Sequence, residues 1–241
     1  MRAPSAADVI AMWEQGASQG PIEWPLAVLA RATGEPRETL AALCIGERDA
    51  RLFALHAHLF GPRVDAFAEC PRCGERLEYA LAAADLMQAQ PADASGLTLG
   101  LDDMSMQLRR LDSADLAAAA ACADVDEARR LFAQRCVMQA SRDGAAVPVG
   151  ELTDMAIERI AACLAAADPQ ADLSIELTCP RCAHRWTVAF QIERFLWSKL
   201  TALATRLLRE VDVLARGYGW SEHEILSLSA TRRALYLEMA S

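Results

Sequence analysis

Apolar residues recur at helical spacing through roughly the first sixty residues of the chain. Ser5 and Asp8 have the spacing of a capping box, in which a hydroxyl and a carboxylate close the first turn of a helix. Pro25 and Pro36 suit first helical turns, where a missing N–H group has no consequence. The pattern predicts three or four short helices between Ser5 and Phe60.

Two later segments alternate apolar and polar residues with the period of two that is typical of strands. Residues 64–83 alternate around the turn Cys-Pro-Arg-Cys at 70–73, and residues 173–192 alternate around the same turn at 179–182. Each segment therefore predicts a short hairpin with two cysteines at its tip, and this unit is an internal repeat. Residues 97–108 also alternate and predict a third hairpin.

The remaining pattern is helical. Ser113 is expected to cap an alanine-rich helix, an apolar stripe predicts a helix from Asp124 to Ala140, and residues 141–150 have the composition of a loop. Further helices are predicted over Thr153–Ala166, over Arg194–Arg216, after the capping box Ser221–Glu224, and over Ala230–Met239.

Composition narrows the class of protein. The 241 residues contain no uncharged apolar run of roughly 18 residues, so no membrane span is predicted. Acidic residues interrupt the N-terminal segment where an export signal would need an apolar run, and we therefore expect a cytoplasmic location. The 24 basic and 33 acidic residues give a net charge of −9, which disfavours nucleic acid as a partner.

The chain has eight cysteines, which a reducing compartment would keep as thiols or metal ligands. A Cys-x-x-Cys turn makes two thiolates converge, and two such turns complete the tetrahedron that zinc prefers. We expect Cys70, Cys73, Cys179 and Cys182 to hold one structural Zn²⁺. The 105 residues between the two turns are a small obstacle, because the entropy of loop closure grows only logarithmically with length.

Other interpretations of the two turns stay open at this point. They could be independent redox pairs, although such pairs usually sit at strand-to-helix turns. The site could have lost its metal, or His184 could replace one cysteine ligand. No enzyme is predicted, because the signatures of zinc deaminases and zinc proteases are absent and four thiolates leave no open position for water.

These elements predict an α+β protein that is mainly helical, with two β-hairpin zinc knuckles forming one split zinc-ribbon-like site. A helical insert and a C-terminal helical segment complete the fold. We expect four parts: an N-terminal helical segment at 1–62, a clasp made of 63–84 and 172–193, a β-hairpin and helical insert at 85–171, and C-terminal helices at 194–241.

The C-terminal part is the second candidate site. From Arg185 onward the chain has eight basic and six acidic residues, a local excess of positive charge. Arginine and aromatic side chains are common anchors of interfaces, whereas a merely solvated helix face is the alternative. The predicted docking edge, with its arginines exposed, consists of Arg209, Arg216, Trp220, Arg232, Arg233 and Tyr236.

The tail also carries a recognisable pattern. It reads LREVDVLA over 208–215, GYGWSE over 217–222 and EILSL over 224–228, and a central passage reads LRRLDSADL over 108–116. Together with the two cysteine turns, these segments resemble the T4-family baseplate hub assembly chaperones of contractile phage tails and phage-tail-like injection systems. The resemblance extends from about residue 66 onward and is weaker over the N-terminal helices.

The resemblance implies a non-enzymatic assembly factor for the baseplate hub, with hub or wedge proteins as partners and possible association with the particle. Two alternatives remain: a permanent structural component of the baseplate, and a zinc-ribbon adaptor for nucleic acid or transcription. Members of the family often have a proline before the Asp-Leu pair of the central passage, where this sequence has Asp112 or Ser113. It also departs at Ala183, which replaces a glycine after the second cysteine turn.

Overall fold

The computed structural model describes residues 4–87, 96–101, 104–142, 144–146, 148 and 152–240. The helices are α1 (Ala6–Ala17), α2 (Glu23–Thr33), α3 (Arg37–Ala41), α4 (Ile45–Phe60), α5 (Ser113–Ala119), α6 (Val125–Cys136), α7 (Asp154–Ala167), α8 (Ile192–Tyr218), α9 (Glu222–Ser227) and α10 (Ala230–Ala240). The strands are β1 (Arg63–Glu69), β2 (Arg76–Ala82), β3 (Leu97–Leu101), β4 (Met104–Leu108), β5 (Val137–Arg142), β6 (Ala145–Ala146), β7 (Ser174–Thr178) and β8 (Arg185–Ala189).

The fold is α+β, as the sequence predicted, with helices and small antiparallel sheets. β1 pairs with β2, β7 pairs with β8, and β3, β4, β5 and β6 form a sheet in that order. The four helices α1 to α4 confirm the prediction for the N-terminal segment. The turn of the third hairpin, at 102–103, lies outside the described residues.

Contacts within the chain define two compact units. Unit 1 comprises residues 1–37, 52–61 and 191–241, and unit 2 comprises residues 38–51 and 62–190. The boundary between the units crosses α4, so this helix contributes residues to both. Both cysteine turns belong to unit 2, whereas the predicted docking edge belongs to unit 1.

Unit 1 packs α1 and α2 against the long helix α8. α8 buries apolar residues three and four positions apart, among them Leu196, Leu200 and Leu207, as an amphipathic helix does. Gly16 on α1 lies against the ring of Trp197, and a Cβ at this position would meet that ring at 2.4 Å. Only glycine therefore allows the close approach of α1 to α8.

Unit 2 contains a separate apolar core, in which one face of the β3–β6 sheet packs on α6 and α7. Met106 and Leu108 on β4 are almost fully buried and meet Cys136 at the end of α6. Ile160 and Leu164 on α7 close the other side of this core. The strands hold their apolar side chains on one face because successive residues of a strand point to opposite sides.

The structure corrects the expected start of α5. Asp112, rather than Ser113, is the N-cap: its carboxylate accepts the backbone N–H of Asp115, and the Asp115 carboxylate accepts the N–H of Asp112. Ser113 is the first helical residue and is buried. An aspartate prevails because Asp115 lies three residues after it, which completes a capping box.

The structure also corrects the predicted helix at 124–140 and the loop that follows it. The helix ends at Cys136, and residues 137–142 form β5, which pairs with β4. The prediction failed because Val137 and Ala140 fit an apolar stripe as well as a strand, and pairing with β4 decides between the two. The segment expected to be a loop begins with the end of this strand.

Candidate metal centre

The two cysteine turns lie at the tips of two hairpins of equal construction. Glu69 at the end of β1 pairs with Arg76 at the start of β2. In the second hairpin, Thr178 at the end of β7 pairs with Arg185 at the start of β8. Six residues therefore connect the strands at each tip, and the cysteines are the first and fourth of these.

The backbones of the two tips make equivalent hydrogen bonds. The N–H of Cys70 donates to the carbonyl of Glu75 at 2.9 Å, and the N–H of Cys179 donates to the carbonyl of His184 at 2.9 Å. Each bond joins the first and last residues of its tip and closes the turn. The repeat in the sequence is therefore also a repeat in the backbone.

The residue after the second cysteine of each tip has a left-handed backbone conformation. Gly74 has a φ of 71° and donates its N–H to the carbonyl of Cys70, and Ala183 has a φ of 56° and donates its N–H to the carbonyl of Cys179. This conformation costs an ordinary L-residue roughly 1–2 kcal/mol. The departure at Ala183 therefore leaves the shape of the tip intact and adds local strain.

The structure brings together the four cysteines that the sequence analysis named. The Sγ atoms of Cys70 and Cys182 lie 3.7 Å apart, and those of Cys73 and Cys179 lie 3.6 Å apart. All four sulfur atoms lie within 4.8 Å of one another. A disulfide needs sulfur atoms about 2.05 Å apart, whereas four sulfurs about 2.3 Å from one zinc ion are about 3.8 Å apart. The cluster thus has the dimensions of a zinc site.

Two of the four cysteines are buried, and hydrogen bonding lowers the pKa of one of them. Cys70 and Cys179 are only 2% exposed, whereas Cys73 and Cys182 are half-buried. Burial raises the pKa of the Cys70 thiol, but the backbone N–H groups of Arg72 and Cys73 and the neighbouring thiols outweigh it and lower the pKa to about 7. A thiolate is the form that binds a metal.

The pKa of the Cys73 thiol shifts in the opposite direction. The backbone N–H of Glu75 lowers the pKa of Cys73, but burial and the hydrogen bonds among the four thiols together raise it, to about 12. The same hydrogen bonds among the thiols that lower the pKa of Cys70 therefore raise the pKa of Cys73. A divalent cation would relieve this competition, and its binding would release protons.

His184 does not belong to the cluster. Among the described residues, the group of possible ligand atoms contains the four cysteines and no histidine. The ring of His184 instead stacks on Trp186, with ring centroids 6.1 Å apart. The alternative in which His184 replaces a cysteine therefore receives no support from the geometry.

Near the tips, the Arg181 guanidinium also forms an ion pair with Glu75 at 3.4 Å, which links the two hairpins.

The predicted docking edge is only partly exposed. Arg209 and Arg232 are exposed, and Arg216 is exposed but forms an ion pair with Asp212 at 2.9 Å. Trp220 and Tyr236 are half-buried. Their rings form one cluster with Tyr218, with centroids 4.7 to 5.6 Å apart. The aromatic residues therefore join the end of α8 to α10.

The expectation that Arg233 is an exposed charge is wrong. Its side chain is almost fully buried in unit 1, and its guanidinium donates to Glu210 on α8 at 2.6 Å and to the carbonyl of Leu228 at 3.1 Å. The adjacent arginines in the sequence look equivalent, but successive residues of a helix point in directions about 100° apart. Arg233 therefore faces α8, and Arg232 faces solvent.

One charged network in unit 2 was missed by the sequence analysis. Asp115 is fully buried, and its carboxylate accepts two hydrogen bonds from Arg109, at 2.6 and 2.8 Å, and one from Arg135 at 2.6 Å. Burial raises the pKa of Asp115, but these arginines and the N–H of Asp112 outweigh it and lower the pKa to about 2. The sequence signals were an acidic residue at the third position of a helix and the central passage LRRLDSADL, which contains both Arg109 and Asp115.

The structure thus defines a class of protein: an α+β chain in which two separated hairpins meet at one cluster of four cysteines. Residues 22–197 match the family of the T4 bacteriophage base plate protein, and because the match covers most of the chain, this protein belongs to that family. No curated protein and no solved structure matches the chain significantly.

The extent of the match refines the resemblance seen in the sequence. The matched range contains both cysteine turns and the Asp115 network, and it includes α2, α3 and α4, where the resemblance had looked weaker. It ends at residue 197, near the start of α8, so the tail pattern lies outside it.

Among the residues that the structure describes, none of the helices combines the length and the hydropathy that crossing a bilayer requires.

Proposed function

We propose that this protein is a non-enzymatic assembly factor for the baseplate hub of a contractile phage tail or a phage-tail-like injection system. The observation that carries the proposal is the match to the base plate family over residues 22–197. Other baseplate proteins, in the hub or the wedges, are then its partners. The protein acts before the tail leaves the cell that makes it and can remain associated with the particle.

The proposal includes a structural zinc ion at the four-cysteine cluster. Cys70, Cys73, Cys179 and Cys182 would hold it, since their sulfur atoms lie within 4.8 Å of one another and two pairs are 3.6 and 3.7 Å apart. Bound zinc would supply a cross-link between two cysteine turns that are separated by 105 residues of the chain. Four cysteine ligands would complete the tetrahedron around zinc and leave no position for water or substrate, which favours a structural role over catalysis.

The charge of unit 2 opposes the zinc-ribbon adaptor as an alternative. Unit 2, which carries both cysteine turns, has 23 acidic and 14 basic residues, whereas unit 1 has ten of each. A surface with this excess of negative charge repels a phosphate backbone. We therefore propose that the partner is a protein rather than nucleic acid. The docking edge of unit 1 would then consist of Arg209, Arg216, Arg232, Trp220 and Tyr236.

The second candidate is a permanent structural component of the baseplate, and the description of the family favours it, since it names a base plate protein. Both functions predict that deleting the gene reduces the number of complete tails seen by electron microscopy. They differ in the composition of purified particles. By mass spectrometry, an assembly factor is absent from purified particles or remains at a variable, substoichiometric amount, whereas a structural component is present at a fixed stoichiometry.

The deletion is rescued with variants of this protein. Wild-type protein is expected to restore complete tails, and the pair Arg209→Glu and Arg232→Glu is expected to restore fewer, because both exposed charges are reversed without loss of a buried contact. Normal tail numbers in the deletion strain would refute both functions. Full rescue by the double variant would refute the docking edge alone.

A further inference from the structure

A groove on unit 2 is not used by the metal centre. It has a volume of about 350 Å³ and lies among α5, α6 and α7. Its lining is mainly apolar and includes Leu111, Leu116, Phe132 and Ile160; its charged members are Arg129, Asp168 and Asp172. This volume is at the lower end of the roughly 300–1,000 Å³ range of pockets that bind ligands.

The apolar lining continues from the interior to the surface. Ala133, Ile160 and Leu164 form a buried floor and also belong to the core of unit 2. Val125, at the rim, is 72% exposed, and Ala165 at the rim is also exposed. An enclosed small molecule would leave this rim uncovered. A longer apolar segment would cover both the floor and the rim.

The elements around the groove favour a helix as the occupant. Three helices form its walls, and grooves between helices bind amphipathic helices through apolar side chains three and four positions apart. Burial of apolar surface contributes roughly 25 cal/mol per Å², so a few such side chains give useful affinity.

The charges near the groove indicate the polar residues of that helix. Asp124, Asp126 and Glu127 surround Val125 in the sequence, and Asp172 lies on the rim itself. The basic residue at the rim, Arg129, forms an ion pair with Asp126 at 3.3 Å. Unit 2 as a whole also has nine more acidic than basic residues. Positive residues beside the apolar stripe of a partner would complement this field.

We infer that this groove is a docking site for an amphipathic helix of a partner protein, with an apolar stripe flanked by lysine or arginine. That the partner is a baseplate protein rests on the proposed function, whereas the chemistry of the docked segment rests on the groove alone. The groove belongs to unit 2 and lies within the range that matches the family. It is a second surface, separate from the docking edge of unit 1.

The test uses the full-length, zinc-loaded protein and two synthetic peptides. Both peptides carry leucines on one helical face; one has lysines beside the leucines and the other has glutamates. Fluorescence anisotropy is expected to show binding of the lysine peptide and at least tenfold weaker binding of the glutamate peptide. Ala165→Arg, which places a positive charge at the rim, is expected to weaken the lysine peptide at least tenfold.

Ala166→Arg is the matched control, because Ala166 is an exposed residue of the same helix that does not line the groove. It is expected to bind like the wild type. Equal binding of both peptides, no binding of either, or equal effects of the two variants would overturn the inference. So would a dimer of this chain that Ala165→Arg dissociates, or an apolar small molecule that co-purifies and that this variant releases.

The same two variants then rescue the deletion strain. Fewer complete tails with Ala165→Arg than with Ala166→Arg are expected. If the peptides behave as expected but deletion of the gene leaves tails intact, the docking site stands and the proposed function fails. If deletion abolishes tails but the peptides fail to bind, the proposed function stands and the docking site fails.

Discussion

Ala183 is a residue whose backbone conformation conflicts with its side chain. Its φ of 56° lies in the left-handed region, which the equivalent Gly74 adopts without a Cβ. Both residues close a cysteine tip with the same hydrogen bond, so the two positions are a natural matched pair. The energy difference between them is therefore conformational.

We predict that Ala183→Gly stabilises the zinc-loaded protein by about 1 kcal/mol, because glycine removes the left-handed strain. Gly74→Ala should destabilise it by a similar amount, since a Cβ at Gly74 meets no atom within 4 Å and adds strain alone. Denaturant midpoints at a fixed zinc concentration measure both effects. A loss of stability in Ala183→Gly would contradict the conformational explanation.

The contribution of Asp115 to the stability of the folded state depends on pH. Its folded pKa of about 2 is lower than the ordinary value, so the ionised carboxylate stabilises the folded state. That contribution is complete above the pKa of the unfolded chain, near 4. It is lost as the pH falls through the folded value.

We predict that Asp115→Asn lowers the free energy of unfolding at neutral pH by about 3 kcal/mol, because two arginines lose their charged partner. The difference between wild type and variant should shrink as the pH falls from 4 towards 2. Asp126→Asn is the control, since its ion pair with Arg129 is exposed, and it should change stability by less than about 1 kcal/mol. Urea unfolding at several pH values gives these differences. A constant difference between pH 4 and pH 2 would show that ionisation of Asp115 does not stabilise the folded state.

At the scale of elements, Arg233 joins two helices. Its ion pair with Glu210 and its bond to the Leu228 carbonyl fix α10 against α8. Arg233→Ala is predicted to lower stability by about 2 kcal/mol, because it removes the buried partner of Glu210 and leaves that carboxylate only the exposed Arg206, at 3.3 Å. Arg232→Ala, one residue earlier and exposed, should be nearly neutral. Thermal unfolding of the two variants decides the matter, and similar melting temperatures would show that the ion pair contributes little.

The two hairpins are predicted to share one metal ion. Elemental analysis of the purified protein should give about one zinc per chain, and either Cys70→Ser or Cys179→Ser should remove it, because each hairpin supplies half of the tetrahedron. Cys122→Ser, which lies outside the cluster, should retain the zinc. Two metals per chain, or zinc retained by the Cys179→Ser variant, would count against a shared site.

At the scale of the whole molecule, the metal is predicted to stabilise the native state. A strong chelator should lower the melting temperature by about 5 °C or more, since a ligand that binds only the folded protein adds to its stability. Circular dichroism before and after chelation measures the change. The Cys70→Ser variant, which should lack zinc from the start, is expected to show no further decrease. An unchanged melting temperature after verified removal of zinc would disprove the stabilising role.

The sequence by itself determined the local features of this protein. Periodicity located the N-terminal helices and the three hairpins, and the spacing of the cysteines selected all four members of the cluster. These signals are strong because each depends on residues a few positions apart. The family was also visible in the sequence, although the match covers a different range from the tail pattern.

The tertiary structure decided what depends on distant partners. Residues 137–142 became a strand because β4 offered hydrogen bonds to their backbone, and no local pattern encodes that neighbour. Arg233 and Asp115 became buried because Glu210, Arg109 and Arg135 neutralise them from other positions in the chain. The groove on unit 2 exists only where three helices meet. Burial, pairing and cavities are properties of packed elements, so they emerge only once the chain has folded.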